Sequence, residues 1–289
     1  MLKPWMTCAN VSLRLGDCIE VLERWDGPPV DVVVTSPPYN LGVRYSRYDD
    51  RIERQEYLEW LERWARALNQ VLAENGSLFL NLGAKPTDPW VPYDVLARMR
   101  ELFQLQNVIH WIKSIAIEKH DVGNYGVIRG DVAVGHYKPI NSSRFLNDCH
   151  EFVFHLTRTG SVPLDRLAVG VPYQDESNIR RWSRAGGGKR CRGNTWFVPY
   201  KTIQWRDKDR PHPATFPVEL ARKCLLLHGL RDDLVAMDPF LGIGHAALAA
   251  VQLGVRFYGV ELDPTYYEVA CREVVRAQGG QDAFESAAG

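Results

Sequence analysis

Apolar positions follow two alternating rhythms along most of this 289-residue chain. Val30-Asp31-Val32-Val33-Val34 is a β-branched run with a single polar break, which predicts a strand buried on both faces, as in a parallel sheet. Glu56 to Leu72 instead places Leu58, Leu61, Ala65, Leu68 and Leu72 at helical spacing, and Asn75-Gly76 predicts its end. Further strands are predicted at 11–15, 77–82, 105–111, 151–156, 234–237 and 255–261. Further helices are predicted at 19–25, 93–102, 216–227, 246–253 and 264–278. Strand alternating with helix is the signature of a parallel sheet, so the expected fold class is α/β. Residues 40–54, polar with Tyr45 and Tyr48, read as a surface loop, and 114–147 also read as loop. The stretch 157–205 holds Gly186-Gly187-Gly188 and Trp182, Trp196 and Trp205, and reads as an inserted subregion with the tryptophans in its core. The small, polar residues 279–289 predict a disordered tail, and no internal repeat is visible.

Composition narrows this little. Hydrophobic content of 45% and charged content of 24% suit one large α/β domain with an insertion. No apolar run approaches the roughly 18 residues of a membrane span, and Met1-Leu2-Lys3-Pro4-Trp5 has no apolar signal core. Six scattered cysteines without a C-x-x-C pair argue against a zinc site or a disulfide framework, so no metal is expected and the expected location is the reducing cytoplasm. Lys+Arg and Asp+Glu balance at 35 each. Only locally is there a bias: Arg180, Arg181, Arg184, Lys189, Arg190 and Arg192 form a basic stretch without one acidic residue. Such a stretch suits contact with a polyanion over a limited face; the plainer alternative is a solvated loop.

Two stretches carry chemistry. Thr35-Ser36-Pro37-Pro38-Tyr39-Asn40 follows the valine strand, and its two prolines end it, because neither can donate to a ladder. The result is a stiff turn at a strand's carboxyl end, where open α/β sheets bind ligands. Its hydroxyl, carbonyls and ring suit a flat substrate stacked on one face and hydrogen-bonded at one edge. Far downstream, Asp238-Pro239-Phe240-Leu241-Gly242-Ile243-Gly244 joins a strand to a helix, and Glu261 ends the next strand. Gly242 and Gly244 allow close backbone approach to a ligand at a helix start. A carboxylate at Glu261 can accept both hydroxyls of a ribose. The loop lacks the third glycine of a dinucleotide fingerprint and the lysine of a P-loop. An adenosine without phosphates fits better, and S-adenosylmethionine is the common one; a plain strand–turn–helix is the alternative.

These segments, in this order, resemble the amino-group DNA methyltransferases of the β arrangement, which act on cytosine N4 or adenine N6 and place the catalytic motif before the cofactor motif. The resemblance implies a Rossmann-like methyltransferase sheet of about seven strands with helices on both faces and a small inserted target-recognition region. It divides the chain into a catalytic half (1–156), a target-recognition region (157–211) and a cofactor-binding half (212–278). By the same resemblance, Gly16-Asp17-Cys18 holds the adenine of S-adenosylmethionine, and Gly259-Val260-Glu261 holds its ribose. His212-Pro213-Ala214-Thr215-Phe216-Pro217 opens the helix beside the methionine end, and Arg144-Phe145-Leu146 through His150-Glu151 precedes target recognition. The implied cofactor-binding residues are Asp17, Cys18, Thr215, Asp238, Pro239, Phe240, Gly242, Gly244 and Glu261.

The implied catalytic residues are Ser36, Pro37, Pro38 and Tyr39: Ser36 Oγ and the Pro37 carbonyl accept the hydrogens of the exocyclic amine, Pro38 keeps the turn rigid, and Tyr39 stacks on a base flipped out of duplex DNA. In the family, Ser at the first position of the turn goes commonly with cytosine N4 and Asp with adenine N6, so Ser36 points to cytosine. No Pro-Cys dipeptide of ring-carbon cytosine methylation is present. The basic stretch is expected to contact phosphates of double-stranded DNA. His245 stands where the family usually has Thr or Ser; the plain reading is a helix-start position that tolerates variation, the alternatives a lost contact to the cofactor or one supplied by the imidazole. A cognate restriction endonuclease as partner and a homodimer both stay open.

Overall fold

The structure is a computed structural model that describes residues 2–43, 47–123, 128–135, 141–173, 188–199 and 215–279. The first half runs β1 (Met6–Cys8), β2 (Val11–Leu15), α1 (Cys18–Glu23), β3 (Val30–Thr35), α2 (Arg54–Val71), β4 (Leu72–Leu82), α3 (Val91–Met99) and β5 (Gln104–Ile112). It continues through β6 (Ile115–Ile117), a one-turn helix α4 (Lys119–Val122), β7 (Val132–Val134), β8 (His150–Thr157), β9 (Val171–Pro172), β10 (Lys189–Arg190) and β11 (Thr195–Phe197). The last part is α5 (Val218–His228), β12 (Val235–Asp238), α6 (His245–Leu253), β13 (Arg256–Glu261) and α7 (Pro264–Ala277).

Among the described residues, nine strands form one sheet in the order β1-β2-β13-β12-β3-β4-β8-β5-β11. Neighbours from β2 to β4 are parallel. β8 is antiparallel to both β4 and β5. The seven strands from β2 to β5 make the expected α/β sheet. β1 and β11 extend its two edges; at three residues each they are too short to show a period.

The valine run explains itself once its faces are assigned. Val32 and Val34 pack with α5, α6 and α7 in one core cluster, and Val33 packs with α1 and α2 in the other. Both faces of β3 are therefore covered, which is why its sequence lacks alternation. α2 starts where the Glu53 carboxylate accepts the N–H groups of Gln55 and Glu56, and it buries Leu58, Leu61, Ala65 and Leu68 as its spacing predicts.

Three expectations change. α2 ends at Val71, one residue short of the expected Leu72, but Asn75-Gly76 is not what ends it, because β4 begins directly at Leu72. Asn75-Gly76 instead lies where the pairing of β3 with β4 slips, between Val30↔Leu72 and Val32↔Ser77. A Cβ on Gly76 would sit 2.6 Å from the Leu72 side chain, so the irregularity needs glycine. The stretch 114–147 is not only loop: β6 and β7 form an antiparallel ribbon there. β11, from the stretch expected to be an insertion, pairs in parallel with β5 in the central sheet, and Trp196 is buried in the core. Trp182, Trp205 and the tail 280–289 lie outside the described residues. Among the described residues no helix is long and apolar enough to cross a membrane.

Candidate active site at the carboxyl edge of the sheet

Parallel pairing of β12 with β3 brings the two chemical stretches side by side, although about 200 residues separate them. The join is a hydrogen bond: the Thr35 hydroxyl donates to Asp238 Oδ1 at 2.6 Å, and the Phe240 N–H donates to the same oxygen at 3.0 Å. Asp238 is fully buried, and burial pushes its carboxyl up to about 7 against the pull of those two bonds.

A cleft opens between the two turns. Among the residues expected at the site, Asp17, Cys18, Ser36, Pro37, Pro38, Tyr39, Thr215, Pro239, Phe240, Gly242 and Glu261 line it. Asp238 and Gly244 do not. Asp238 clamps the turns together from below. Gly244 has φ +89°, and a Cβ there would lie 3.1 Å from Ala270, so this glycine serves the packing of α6 on α7. Gly242, with φ +56°, does face the cleft.

Glu261 is held as an acceptor in the wall. Its Oε2 accepts the Gly242 N–H at 2.7 Å and its Oε1 the Asp263 N–H at 2.8 Å. Burial pushes its carboxyl up to about 7; these bonds oppose the shift, and the Asp238 and Asp263 charges add to it. Each oxygen keeps a second lone pair, so the donor-rich edge of a ribose fits. Asp17 caps α1, accepting from Ile19 and Glu20 N–H, and burial pushes the neighbouring Cys18 thiol up. His245 Nδ1 lies 2.6 Å from the Phe216 carbonyl, so that nitrogen carries the proton and donates it. The imidazole thereby ties the start of α6 to the chain entering α5 while lining the cleft.

The Ser36 turn is anchored from α2, where the Tyr57 hydroxyl donates to the Pro38 carbonyl at 2.7 Å. The loop behind it folds around buried Asp50, whose carboxylate accepts the N–H groups of Asn40, Leu41 and Val43. That loop returns Arg47 and Tyr48 to the cleft. The Tyr48 ring lies 5.4 Å from Trp60, which lies 5.6 Å from Phe240, so one wall is aromatic.

Sequence reasoning missed a polar network behind the turn. Ser36 Oγ lies 2.7 Å from the Tyr39 hydroxyl, which lies 3.1 Å from Glu151 Oε2. Asn81 Nδ2 reaches Glu151 Oε2 at 2.8 Å, the Tyr39 hydroxyl at 2.5 Å and Ser36 Oγ at 3.4 Å. Lys113 Nζ donates to Glu151 Oε1 at 3.0 Å. Asn81 is the last residue but one of β4, Glu151 the second of β8, and Lys113 follows β5, so only the sheet order assembles them. Gly83 leaves room for them: a Cβ there would come within 3.0 Å of the Tyr39 ring and 3.1 Å of Glu151.

The basic stretch is seen in part. Lys189 and Arg190 are exposed on β10, which pairs with β9. Arg192 Nε donates to the Val169 carbonyl at 2.9 Å, so that guanidinium also serves the fold. Arg180, Arg181 and Arg184 lie outside the described residues.

Comparison with known proteins identifies relatives of the chain and of its fold. The type II methyltransferase M.Cfr9I of Citrobacter freundii is 29% identical over 290 residues, covering 93% of this chain and 88% of that one. M.HpaI of Haemophilus parainfluenzae is 24% identical over 277 residues, covering 94% and 77%. Among solved structures, the cytosine-N4-specific PvuII DNA methyltransferase superposes with a TM-score of 0.63 at 18% identity, covering 94% of this chain and 93% of that one. A Thermus thermophilus protein, TTHA0409, complexed with S-adenosyl-L-methionine, superposes with a TM-score of 0.56 at 24% identity, covering 92% and 93%. The N6/N4 DNA methylase family matches residues 30–272, and the chain belongs to that family.

Proposed function

We propose that this protein transfers a methyl group from S-adenosylmethionine to the N4 of a cytosine flipped out of double-stranded DNA at a short specific site. The observation that carries the reading is one cleft shared by the Ser36 turn and the Glu261–Gly242 wall. A turn of acceptors and a nucleoside pocket thereby come within reach of one another.

Asp17, Cys18, Thr215, Pro239, Phe240, Gly242 and Glu261 would hold the cofactor, with Glu261 accepting from the ribose. Bound there, S-adenosylmethionine supplies a methyl group on a positively charged sulfur. The chain's own work lies with the base. An exocyclic amine is a weak nucleophile because its lone pair is delocalised into the ring. Ser36 Oγ and the Pro37 carbonyl, accepting its two hydrogens, favour the pyramidal form and free the lone pair. Tyr39 stacks on the flipped base and offsets part of the few kcal/mol that unstacking costs. Positioning supplies much of the acceleration, and no covalent intermediate is required.

Ser36 at the first position of the turn favours cytosine, and a cytosine-N4-specific enzyme shares the fold. Residues 1–156 and 212–278 act as the catalytic and cofactor halves, with target recognition within 157–211, where exposed Lys189 and Arg190 meet phosphates. Six unpaired cysteines suit a reducing cytoplasm. The test is to express the protein in a methylation-free host, digest the DNA to nucleosides and identify the product by mass. N4-methylcytosine is expected; N6-methyladenine alone would reassign the base.

A further inference from the structure

We propose that Glu151 is a positioning residue that sets the hydrogen-bond polarity of the target-base turn: acting through the Tyr39 hydroxyl, it makes Ser36 an acceptor. The inference rests on the amino-methyl transfer argued above and adds what prepares Ser36 for it.

A serine hydroxyl can donate or accept, and a turn that donated to an amine would hold its lone pair instead of freeing it. The network decides between the two. Glu151 Oε1 is taken by the Lys113 ammonium, and both side chains are sheltered, at 20% exposure for Lys113 and 13% for Glu151. The carboxylate offers no proton to its other neighbours. Asn81 must therefore turn its NH2 toward Glu151 Oε2, since an amide oxygen 2.8 Å from a carboxylate oxygen would repel it. The cost of that orientation is visible: Asn81 Oδ1 is buried without a hydrogen-bond partner among the described residues.

Tyr39 is constrained in the same way. Its oxygen lies 3.1 Å from Glu151 Oε2 and 2.7 Å from Ser36 Oγ, and it has one proton. If that proton pointed at Ser36, two oxygens at 3.1 Å would face each other with nothing between them. Donation to Glu151 is the arrangement in which every close oxygen pair holds a proton, and a charged acceptor strengthens it. The tyrosine oxygen is then an acceptor for the Ser36 proton and for Asn81 Nδ2. Ser36 has spent its only proton inward, and its lone pairs are what it can present to the amine.

The experiment compares wild type, Glu151→Gln, Tyr39→Phe and the double variant in single-turnover methyl transfer to unmethylated genomic DNA, with S-adenosylmethionine affinity measured by calorimetry. Gln keeps the shape of Glu151 but brings a donor, and Phe keeps the ring but breaks the relay. Each single variant is expected to lose about 10- to 100-fold in rate, with cofactor affinity within about 2-fold of wild type. Because both act through one hydroxyl, the double variant should be no more than about 2-fold slower than the slower single. Losses that multiply, either single variant at the wild-type rate, or a parallel loss of cofactor affinity would overturn the role of Glu151. A wild type that methylates no exocyclic amine would overturn the function above and this inference with it. Methylation by wild type with unaffected variants would overturn the inference alone.

Discussion

Ser36 and Glu261 line one cleft but answer to different partners, and substitution should separate them. Ser36→Ala removes the proposed acceptor for the amine and leaves the Glu261–Gly242 wall intact. Turnover should fall about 100-fold or more, with cofactor binding nearly unchanged. Glu261→Ala removes the proposed ribose acceptor and frees the Gly242 and Asp263 N–H groups that it holds. Cofactor affinity should fall about 10-fold or more, the worth of one lost charged hydrogen bond. Calorimetry beside single-turnover rates checks both; equal loss of binding and rate in Ser36→Ala would remove it from the base. The turn itself was legible in the sequence, because Pro-Pro after a valine strand has few structural meanings. The residues behind it were not. Asn81 sits among apolar residues near the end of one strand and Glu151 near the start of another, and nothing local marks either as polar machinery. Asp238 was legible as part of a motif but not as a clamp, since its partner Thr35 lies 203 residues away.

Among the elements, periodicity located the long ones and failed at the short ones. α2 and the core strands bury enough apolar positions to show a rhythm; β1, β6, β7 and β11 have three residues each. The loop after Tyr39 looked structureless because its order comes from one buried carboxylate and not from any repeat. Asp50→Ala would leave the N–H groups of Asn40, Leu41 and Val43 without their acceptor. The expected outcome is a folded protein less stable by about 1–3 kcal/mol. Fast amide exchange should be confined to the loop, and cofactor affinity should weaken because Arg47 and Tyr48 no longer reach the cleft. Hydrogen exchange by mass spectrometry reads this directly; unchanged protection at residues 40–43 would show the loop is held otherwise.

For the whole molecule, buried ionisable groups pull stability in opposite directions with pH. Burial holds Asp238 and Glu261 up to about 7, so the folded state binds their protons more tightly than the unfolded chain. Their contribution is present at pH below about 4 and is lost as pH rises through 7. His155 and His228 bond the same Ser77 hydroxyl near the opposite edge of the sheet. Burial lowers them to about 3 and about 4; the charge of His228 helps to lower His155, and Arg231 helps to lower His228. Their contribution is present above about 6.5 and is lost as pH falls toward 4. The two pairs offset each other between pH 5 and 7 in the protein without cofactor. Asp238→Asn removes one falling term, so stability at pH 7 relative to pH 5 should rise by about 2 kcal/mol compared with wild type. Urea melts at the two pH values check it; an unchanged difference would mean that Asp238 is ionised throughout.

The bond of Thr35 to Asp238 joins the two turns without regard to which comes first along the chain. A second such contact lies at the far margin of the sheet, where Gln278 Nε2 donates to Asn10 Oδ1 at 3.0 Å. Residues near the two extremes of the fold therefore touch, while residues 199 and 215 bound the stretch between its halves. A gene opened in that stretch, with its old ends joined beside the Asn10–Gln278 contact, would encode the half proposed to bind the nucleoside ahead of the half proposed to bind the base. The pairing of β12 with β3 and the Thr35–Asp238 bond use no residue of that stretch. Motif order in this architecture is a property of the thread and not of the cloth.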